Sequence, residues 1–140
     1  MQEHNNFSRE MFGIISQAVI IKDKKVLMVR QYVQRGDIVW NFPGGGIEEN
    51  ETPEEACIRE VKEETGLEVT DLILIHLQDE KYTYLIKNIK GSVILDTTNR
   101  DNEDILEVRW ISLDDSDKFD TYTKPIMDML SKIEAGPNLT

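Results

Sequence analysis

Short apolar runs rich in β-branched residues dominate the first third of the chain. Residues 14–21 and 26–30 are two such runs, and the charged segment 22–25 separates them. Apolar runs of this length, bounded by turn-forming residues, predict buried strands joined here as a hairpin. Residues 38–42 predict a further short strand, which Pro43 and the three glycines after it would end in a turn.

The second half of the chain repeats this alternation between apolar runs and polar turns. Residues 67–77 and 82–89 predict two strands, and residues 92–95 predict a shorter one. The next apolar positions alternate with charged ones, as in a strand that has one buried face. These positions are Leu106, Val108 and Trp110.

A helix is predicted between residues 52 and 66 by signals at both of its ends. Thr52 suits the N-cap, Pro53 suits the first helical position, and Glu55 completes a capping box. Gly66 suits the left-handed position just after the last turn. Helical spacing then places three apolar residues on one stripe, which are Cys57, Ile58 and Val61.

A second helix is predicted near the end of the chain. It starts close to Pro125, and its apolar residues recur at helical spacing: Ile126, Met129, Leu130 and Ile133. Strands before and after one central helix, closed by a terminal helix, predict a mixed β-sheet covered on both sides, within the α/β (α+β) class. We expect one domain over residues 1–140, with residues 1–10 and 137–140 as loose tails.

Composition narrows the class of protein. The 27 acidic and 16 basic residues give a net charge of −11, which disfavours stable binding to nucleic acid. No apolar run approaches the roughly 20 residues that span a bilayer, so no membrane association is expected. The first residues carry no secretion signal, and the single Cys57 fits a reducing compartment, so the cytoplasm is the expected location.

Three glutamates of the central helix have the spacing of a metal site. Glu60, Glu63 and Glu64 are three and four residues apart, so they lie on one helical face. Carboxylates this close repel one another unless a cation lies between them. Hard divalent cations take oxygen ligands, which predicts Mg²⁺ or Mn²⁺ at this face.

The same segment resembles the signature of the Nudix hydrolases at every fixed position. The fixed positions are Gly45, Glu51, Arg59-Glu60-Val61, Glu63-Glu64 and Gly66-Leu67, with five, seven, one and one residues between them. The resemblance covers about a sixth of the chain, and nine fixed positions make it a specific signal. It implies the α/β/α sandwich of the MutT-like nucleotide pyrophosphohydrolases, with a mixed central sheet.

By this resemblance, Glu60, Glu63 and Glu64 are expected to bind Mg²⁺, for which Mn²⁺ would substitute. The carbonyl of Gly44 is expected to be a further ligand. Arg59 and Glu51 resemble the pair that braces the loop against the helix, and Arg59 would also orient Glu60. Gly66 supports the site through the end of the helix.

The resemblance determines the general base and the substrate contacts less fully than it determines the metal ligands. Glu60 is the first candidate for the base, with Glu63 beside it, and the outside candidates are Glu103 and Asp104. Gly45 and Arg30 are expected to contact the substrate, although Arg30 also suits a surface ion pair. Trp40 suits stacking on a base and core packing equally well.

The expected function is hydrolysis of a pyrophosphate linkage by a metal-activated water. The substrate would be a nucleoside triphosphate, including an oxidised one, a dinucleotide polyphosphate or a nucleotide sugar. The first alternative is a silent Nudix domain that senses a nucleotide without cleaving it. A nonenzymatic acidic interaction protein is the second, and association of two copies into a homodimer is left open.

Overall fold

The computed structural model describes residues 13–33 and 36–134, which contain eight strands and two α-helices. The tails expected at residues 1–10 and 137–140 lie outside the described residues. The strands are β1 (Ile15–Val19), β2 (Ile21–Lys22), β3 (Lys25–Tyr32), β4 (Ile38–Asn41), β5 (Gly44–Gly46), β6 (Glu68–Gln78), β7 (Lys81–Lys90) and β8 (Ile105–Ser112). The helices are α1 (Pro53–Thr65) and α2 (Lys124–Glu134).

The strands form two four-stranded sheets. The first has the order β5-β1-β7-β6, in which β1 and β7 are parallel and the other pairs are antiparallel. In the second, β8 pairs along one edge of β3, while β2 and β4 pair with opposite ends of its other edge. The mixed α/β class predicted from the sequence is confirmed, and the predicted mixed sheet is the first of the two.

Two apolar clusters lie on opposite sides of the sheets, and each is covered by one helix. Helix α1 contributes Cys57 and Val61 to the first cluster, where they pack with Leu27 and Tyr84. Helix α2 contributes Ile126 and Leu130 to the second cluster. Both clusters contain residues from both sheets, so the sheets form one layer of an α/β/α sandwich. Neither described helix combines the length and the apolar character needed to cross a bilayer.

The predicted ends of helix α1 are confirmed. The Thr52 side chain accepts a hydrogen bond from the Glu55 N–H at 3.0 Å, and the Glu55 carboxylate accepts one from the Thr52 N–H at 2.9 Å. Gly66 has a φ of +84° and donates its N–H to the Lys62 carbonyl at 3.0 Å. The predicted apolar stripe was wrong at Ile58, which is exposed at the flank of the helix.

Three strand predictions were wrong in detail. The apolar run 14–21 is interrupted at Ile20, so β1 joins the first sheet and only the two-residue β2 forms a hairpin with β3. Residues 92–95 form no strand, and the Ile94 N–H instead donates to the Thr65 carbonyl at the end of α1. The three glycines form strand β5 antiparallel to β1, not a turn. Local pattern does not reveal which strand lies alongside, so it could not predict these pairings.

Candidate active site

Strand β5 brings its backbone directly against two carboxylates of helix α1. The Gly44 N–H donates a hydrogen bond to the Glu64 Oε1 at 3.1 Å. A Cβ on Gly45 would lie 2.5 Å from the Glu60 Oε2 and 2.6 Å from its Cδ, closer than any real Cβ contact. The carboxylate of Glu60 thus occupies the space that a side chain at position 45 would take, so a larger residue there would displace it.

Burial makes these two carboxylates unfavourable as a pair of bare anions. Spacing along the helix predicts that Glu60, Glu63 and Glu64 lie beside the apolar stripe and are not buried, and this is wrong for Glu64, which is only 8% exposed. Burial, followed by repulsion from Glu60, raises the pKa of Glu64 well above its usual value. Burial also raises the pKa of Glu60, although the Arg59 guanidinium opposes the change. A cation beside them would relieve both effects.

Glu63 contacts Arg59, which is also a partner of Glu60, and it makes no contact with β5 that matches those of Glu60 and Glu64. Its Oε1 lies 3.4 Å from the Nη1 of Arg59. Within residues 13–33 and 36–134, no three His, Cys, Asp or Glu side chains stand together closely enough to hold an ion. The expected close approach of all three glutamates is therefore seen only for Glu60 and Glu64, which contact adjacent glycines of β5.

Arg59 links the helix to the loop and strand that precede it. Its Nε and Nη2 donate to the two carboxylate oxygens of Glu51 at 2.6 and 2.9 Å. The Nη2 also donates to the Gly46 carbonyl at 3.0 Å, and the Nη1 donates to the Glu60 Oε2 at 3.0 Å. The Arg59 hydrogen bond lowers the pKa of Glu51, and the carboxylates raise the pKa of Arg59. One guanidinium thus positions Glu60 relative to β5.

The two side chains expected to contact substrate have other partners in the structure. Arg30 is paired with Glu107, at 3.5 Å between Nη1 and Oε1. Trp40 is half-buried and packs against the cluster under α2, with the Arg109 guanidinium 5.2 Å from its ring centroid. These contacts are those of the ion-pair and core alternatives, and the substrate roles of both residues stay predictions.

The alternative bases lie on an exposed loop that is fastened to helix α1. Glu103 and Asp104 both have exposed side chains. The preceding residue, Asn102, is 3% exposed and donates through Nδ2 to the Glu63 carbonyl at 2.8 Å and the Asp96 carbonyl at 3.1 Å. Asn102 was not predicted from the sequence, because an asparagine in a polar loop gives no sign that it is buried.

The sequence also did not predict a cleft of about 180 Å³ on the other face of β1. Its lining comes from strands β1, β3, β4, β5 and β7 and from Phe42, which lies between β4 and β5. The available signal was Gln17, a polar residue within an apolar run, which is buried and donates through Nε2 to Thr83 Oγ1 at 2.9 Å. The described residues that line this cleft are Ile15, Gln17, Gln31, Asn41, Phe42, Gly44, Gly45 and Lys81.

The fold is an α/β/α sandwich, and its site is a glycine strand packed against glutamates of a capped helix. These two features define the class of domain to which the chain belongs. A family model described as the NUDIX domain matches residues 14–130. Because this match covers most of the chain, the protein belongs to the Nudix family.

Individual relatives match shorter segments. The chain is 38% identical over 76 residues to an RNA pyrophosphohydrolase of Hydrogenovibrio crunogenus, covering 54% of this chain and 42% of the relative. It is 56% identical over 36 residues to an 8-oxo-dGTP diphosphatase of Proteus vulgaris, covering 26% of this chain and 32% of the relative. The chain thus spans less than half the length of either curated relative.

Solved structures agree with the fold of the whole domain. The crystal structure of a MutT Nudix hydrolase from Burkholderia pseudomallei superposes with a TM-score of 0.66 and 19% sequence identity. The superposition covers 82% of this chain and 95% of that chain. At this identity the similarity concerns the fold alone.

Proposed function

We propose that the protein is a divalent-metal-dependent pyrophosphohydrolase that acts on a nucleoside diphosphate derivative. The observation that carries the proposal is the contact of Glu60 and Glu64 with adjacent glycines of β5, inside the family's signature segment. Membership of the Nudix family and the names of the two relatives support the reaction class.

The residues present suit a hard divalent cation. The donors are carboxylate and carbonyl oxygens, which Mg²⁺ and Mn²⁺ prefer, and the buried Glu60–Glu64 pair gains from a positive charge beside it. Glu60, Glu64 and the Gly44 carbonyl would hold the ion, and Glu63 would join them by turning from Arg59. When bound, it supplies positive charge that neutralises phosphate oxygens and lowers the pKa of water.

The side chains then have distinct tasks in the reaction. A water oxygen bonds to one phosphorus, the bond from that phosphorus to the bridging oxygen breaks, and Glu60 accepts the proton of the water. Arg59 holds Glu60 in position through its contact at 3.0 Å. Glu103 and Asp104 are the alternative bases, because Asn102 fastens their loop to the backbone of Glu63.

The cleft beside Gly44 and Gly45 is the candidate site for the rest of the substrate. It opens next to the glycines that contact the carboxylates, so one molecule bound there would reach both. Nucleoside triphosphates, including oxidised ones, dinucleotide polyphosphates and nucleotide sugars are the candidates. The name of one relative adds RNA that carries a pyrophosphate group, although the net charge of −11 disfavours stable binding of RNA.

A hydrolysis screen with identified products tests the proposal. The panel contains each of these substrate classes, assayed with Mg²⁺, with Mn²⁺ and with a chelator. Release of phosphate, pyrophosphate or a nucleoside monophosphate that stops on chelation is the expected result. Nucleotide binding without any product would instead support the silent sensor. The cytoplasmic location and the homodimer stay predictions.

A further inference from the structure

Lys81 is the only charged residue among the described residues that line the cleft between the sheets. It begins strand β7 and pairs with Ile15 of β1, which on its other edge pairs with Gly46 of β5. Lys81 therefore lies two strands from the glycine strand, roughly 10 Å away at ordinary strand spacing. This places a positive charge in the same cleft as Gly44 and Gly45, the glycines that contact the carboxylates of helix α1 from the other side of the sheet.

No carboxylate neutralises this lysine within the part of the chain that the structure describes. Lys81 is half-buried, and its Nζ lies 5.7 Å from the ring centroid of Tyr122. A cation–π contact of this kind is weak at an exposed site, and it leaves the positive charge uncompensated. In a chain with 27 acidic residues, a half-buried lysine without a carboxylate partner is available for an acceptor on a ligand.

The aromatic partner of Lys81 stands on a well-fixed turn. The Asp120 Oδ1 accepts hydrogen bonds from the N–H of Tyr122 at 2.9 Å and the N–H of Thr123 at 3.0 Å. The Thr123 hydroxyl accepts one from the Asp120 N–H at 3.0 Å. The backbone of Tyr122 is thereby fixed just before α2, and its ring is the contact that the Lys81 ammonium makes at 5.7 Å.

The chemistry of the lining restricts what Lys81 can bind. An ammonium group has three N–H donors and no acceptor, so its partner must present an oxygen or another acceptor. Gln17, the nearby amide of β1, already uses its Nε2 to donate to Thr83. Lys81 is thus the strongest donor of the cleft. A ligand with an amino group at the position of the acceptor would be rejected, because both groups would be donors.

We propose that Lys81 determines specificity by donating to an oxygen acceptor on the group attached to the scissile diphosphate. The acceptor is an oxygen of a further phosphate or a carbonyl oxygen of the base. The inference rests on the nucleotide substrate proposed above.

Binding measurements separate this inference from the hydrolytic function. All variants carry Glu60→Gln to suppress turnover, and calorimetry with Mg²⁺ measures the dissociation constants of GTP, GDP and ATP. Lys81→Met should weaken GTP binding about 10- to 100-fold, as expected for a lost hydrogen bond of a charged group. Lys81→Arg should restore most of it. Lys87→Met removes the same charge from an exposed position of β7 outside the cleft and should leave binding unchanged.

The pattern across the three nucleotides identifies the acceptor. A loss for GTP and GDP but not for ATP supports the carbonyl of the base, because ATP carries an amino group there. A loss for GTP and ATP but not for GDP supports the further phosphate. Equal losses for all three would place Lys81 on the scissile diphosphate and overturn the proposal. So would unchanged binding, or an equal effect of Lys87→Met. Hydrolysis of the panel by the wild-type chain decides the proposed function separately.

Discussion

The two faces of strand β1 meet surroundings of different kinds. Ser16 and Ala18 face helix α1, where the Ser16 hydroxyl donates to the Pro53 carbonyl at 2.7 Å and Ala18 is part of the buried core. Ile15 and Gln17 face the cleft. The first face adjoins residues 44–64, one continuous segment of the chain. The second face is completed by strands far apart in the sequence.

This difference separates two kinds of information in the chain. The helix face carries the carboxylates and the guanidinium, and its geometry follows from spacing along one helix. The cleft face carries amides and one lysine, and its geometry follows from which strands are neighbours. Under the proposed function, bond cleavage belongs to the helix face and recognition of the substrate to the cleft, and the predictions below test that division.

The largest expected effect is the loss of turnover in Glu60→Gln. The substitution keeps the shape of the side chain but removes the proton acceptor and one anionic ligand, so kcat should fall by roughly 10²–10³ or more. Kinetics on the substrate found in the screen measure it. Glu54→Gln, on an exposed residue of the same helix, should keep wild-type kcat. If Glu60→Gln kept full activity, cleavage would not reside on the helix face.

The same division explains how much the sequence could predict. The capping box, Gly66 and the one-sided glutamates depend on residues within one helix, so their spacing carried the information. The buried Glu64 and the strand formed by the three glycines depend on β1, nearly thirty residues earlier. Lys81 depends on the parallel pairing of β1 with β7, a contact across 66 residues. The alternation of apolar and polar residues assigns a residue to one face of a strand. Only the order of strands in the sheet reveals which other residues lie on that face.

Alanine substitutions at the two adjacent glycines Gly44 and Gly45 should affect different properties, stability in the first case and activity in the second. A Cβ on Gly44 would collide with the Ser16 carbonyl oxygen and lie 2.6 Å from the Gln17 Cα, both backbone atoms that cannot move away. Gly44→Ala should therefore destabilise the fold by about 1–3 kcal/mol. A Cβ on Gly45 meets only the end of the Glu60 side chain.

Gly45→Ala should leave the unfolding free energy nearly unchanged, because Glu60 can rotate away, but it should lower kcat and weaken Mn²⁺ binding. Urea unfolding and calorimetry with Mn²⁺ measure the two quantities for each variant. Equal losses of stability in both variants would show that position 45 serves packing alone.

Arg59→Lys should have a smaller effect on the helix face. Lysine keeps the charge but cannot reproduce the fork that reaches both oxygens of Glu51 together with Gly46 and Glu60. We expect kcat to fall roughly tenfold, about the value of one charged hydrogen bond, while nucleotide binding in the cleft stays the same. Arg109→Lys, at an exposed pair with Glu107, is the matched control. A raised KM with unchanged kcat would instead assign Arg59 to recognition.

The smallest expected effect is a pH-dependent part of the stability at Glu51. The Arg59 hydrogen bond lowers the pKa of this carboxylate below its usual value of 4.5. A group with a depressed pKa in the folded state stabilises the fold above its unfolded pKa, and that contribution disappears as the pH falls through the lowered value.

Glu51→Gln should therefore be less stable than the wild type at pH 7, by about 1 kcal/mol or less. The difference should shrink as the pH falls below 4.5. Urea unfolding at pH 7 and at pH 3 measures it, with Glu49→Gln at an exposed position as the control. A difference that stays constant between the two pH values would mean that Glu51 braces the helix face through its shape and not through its charge.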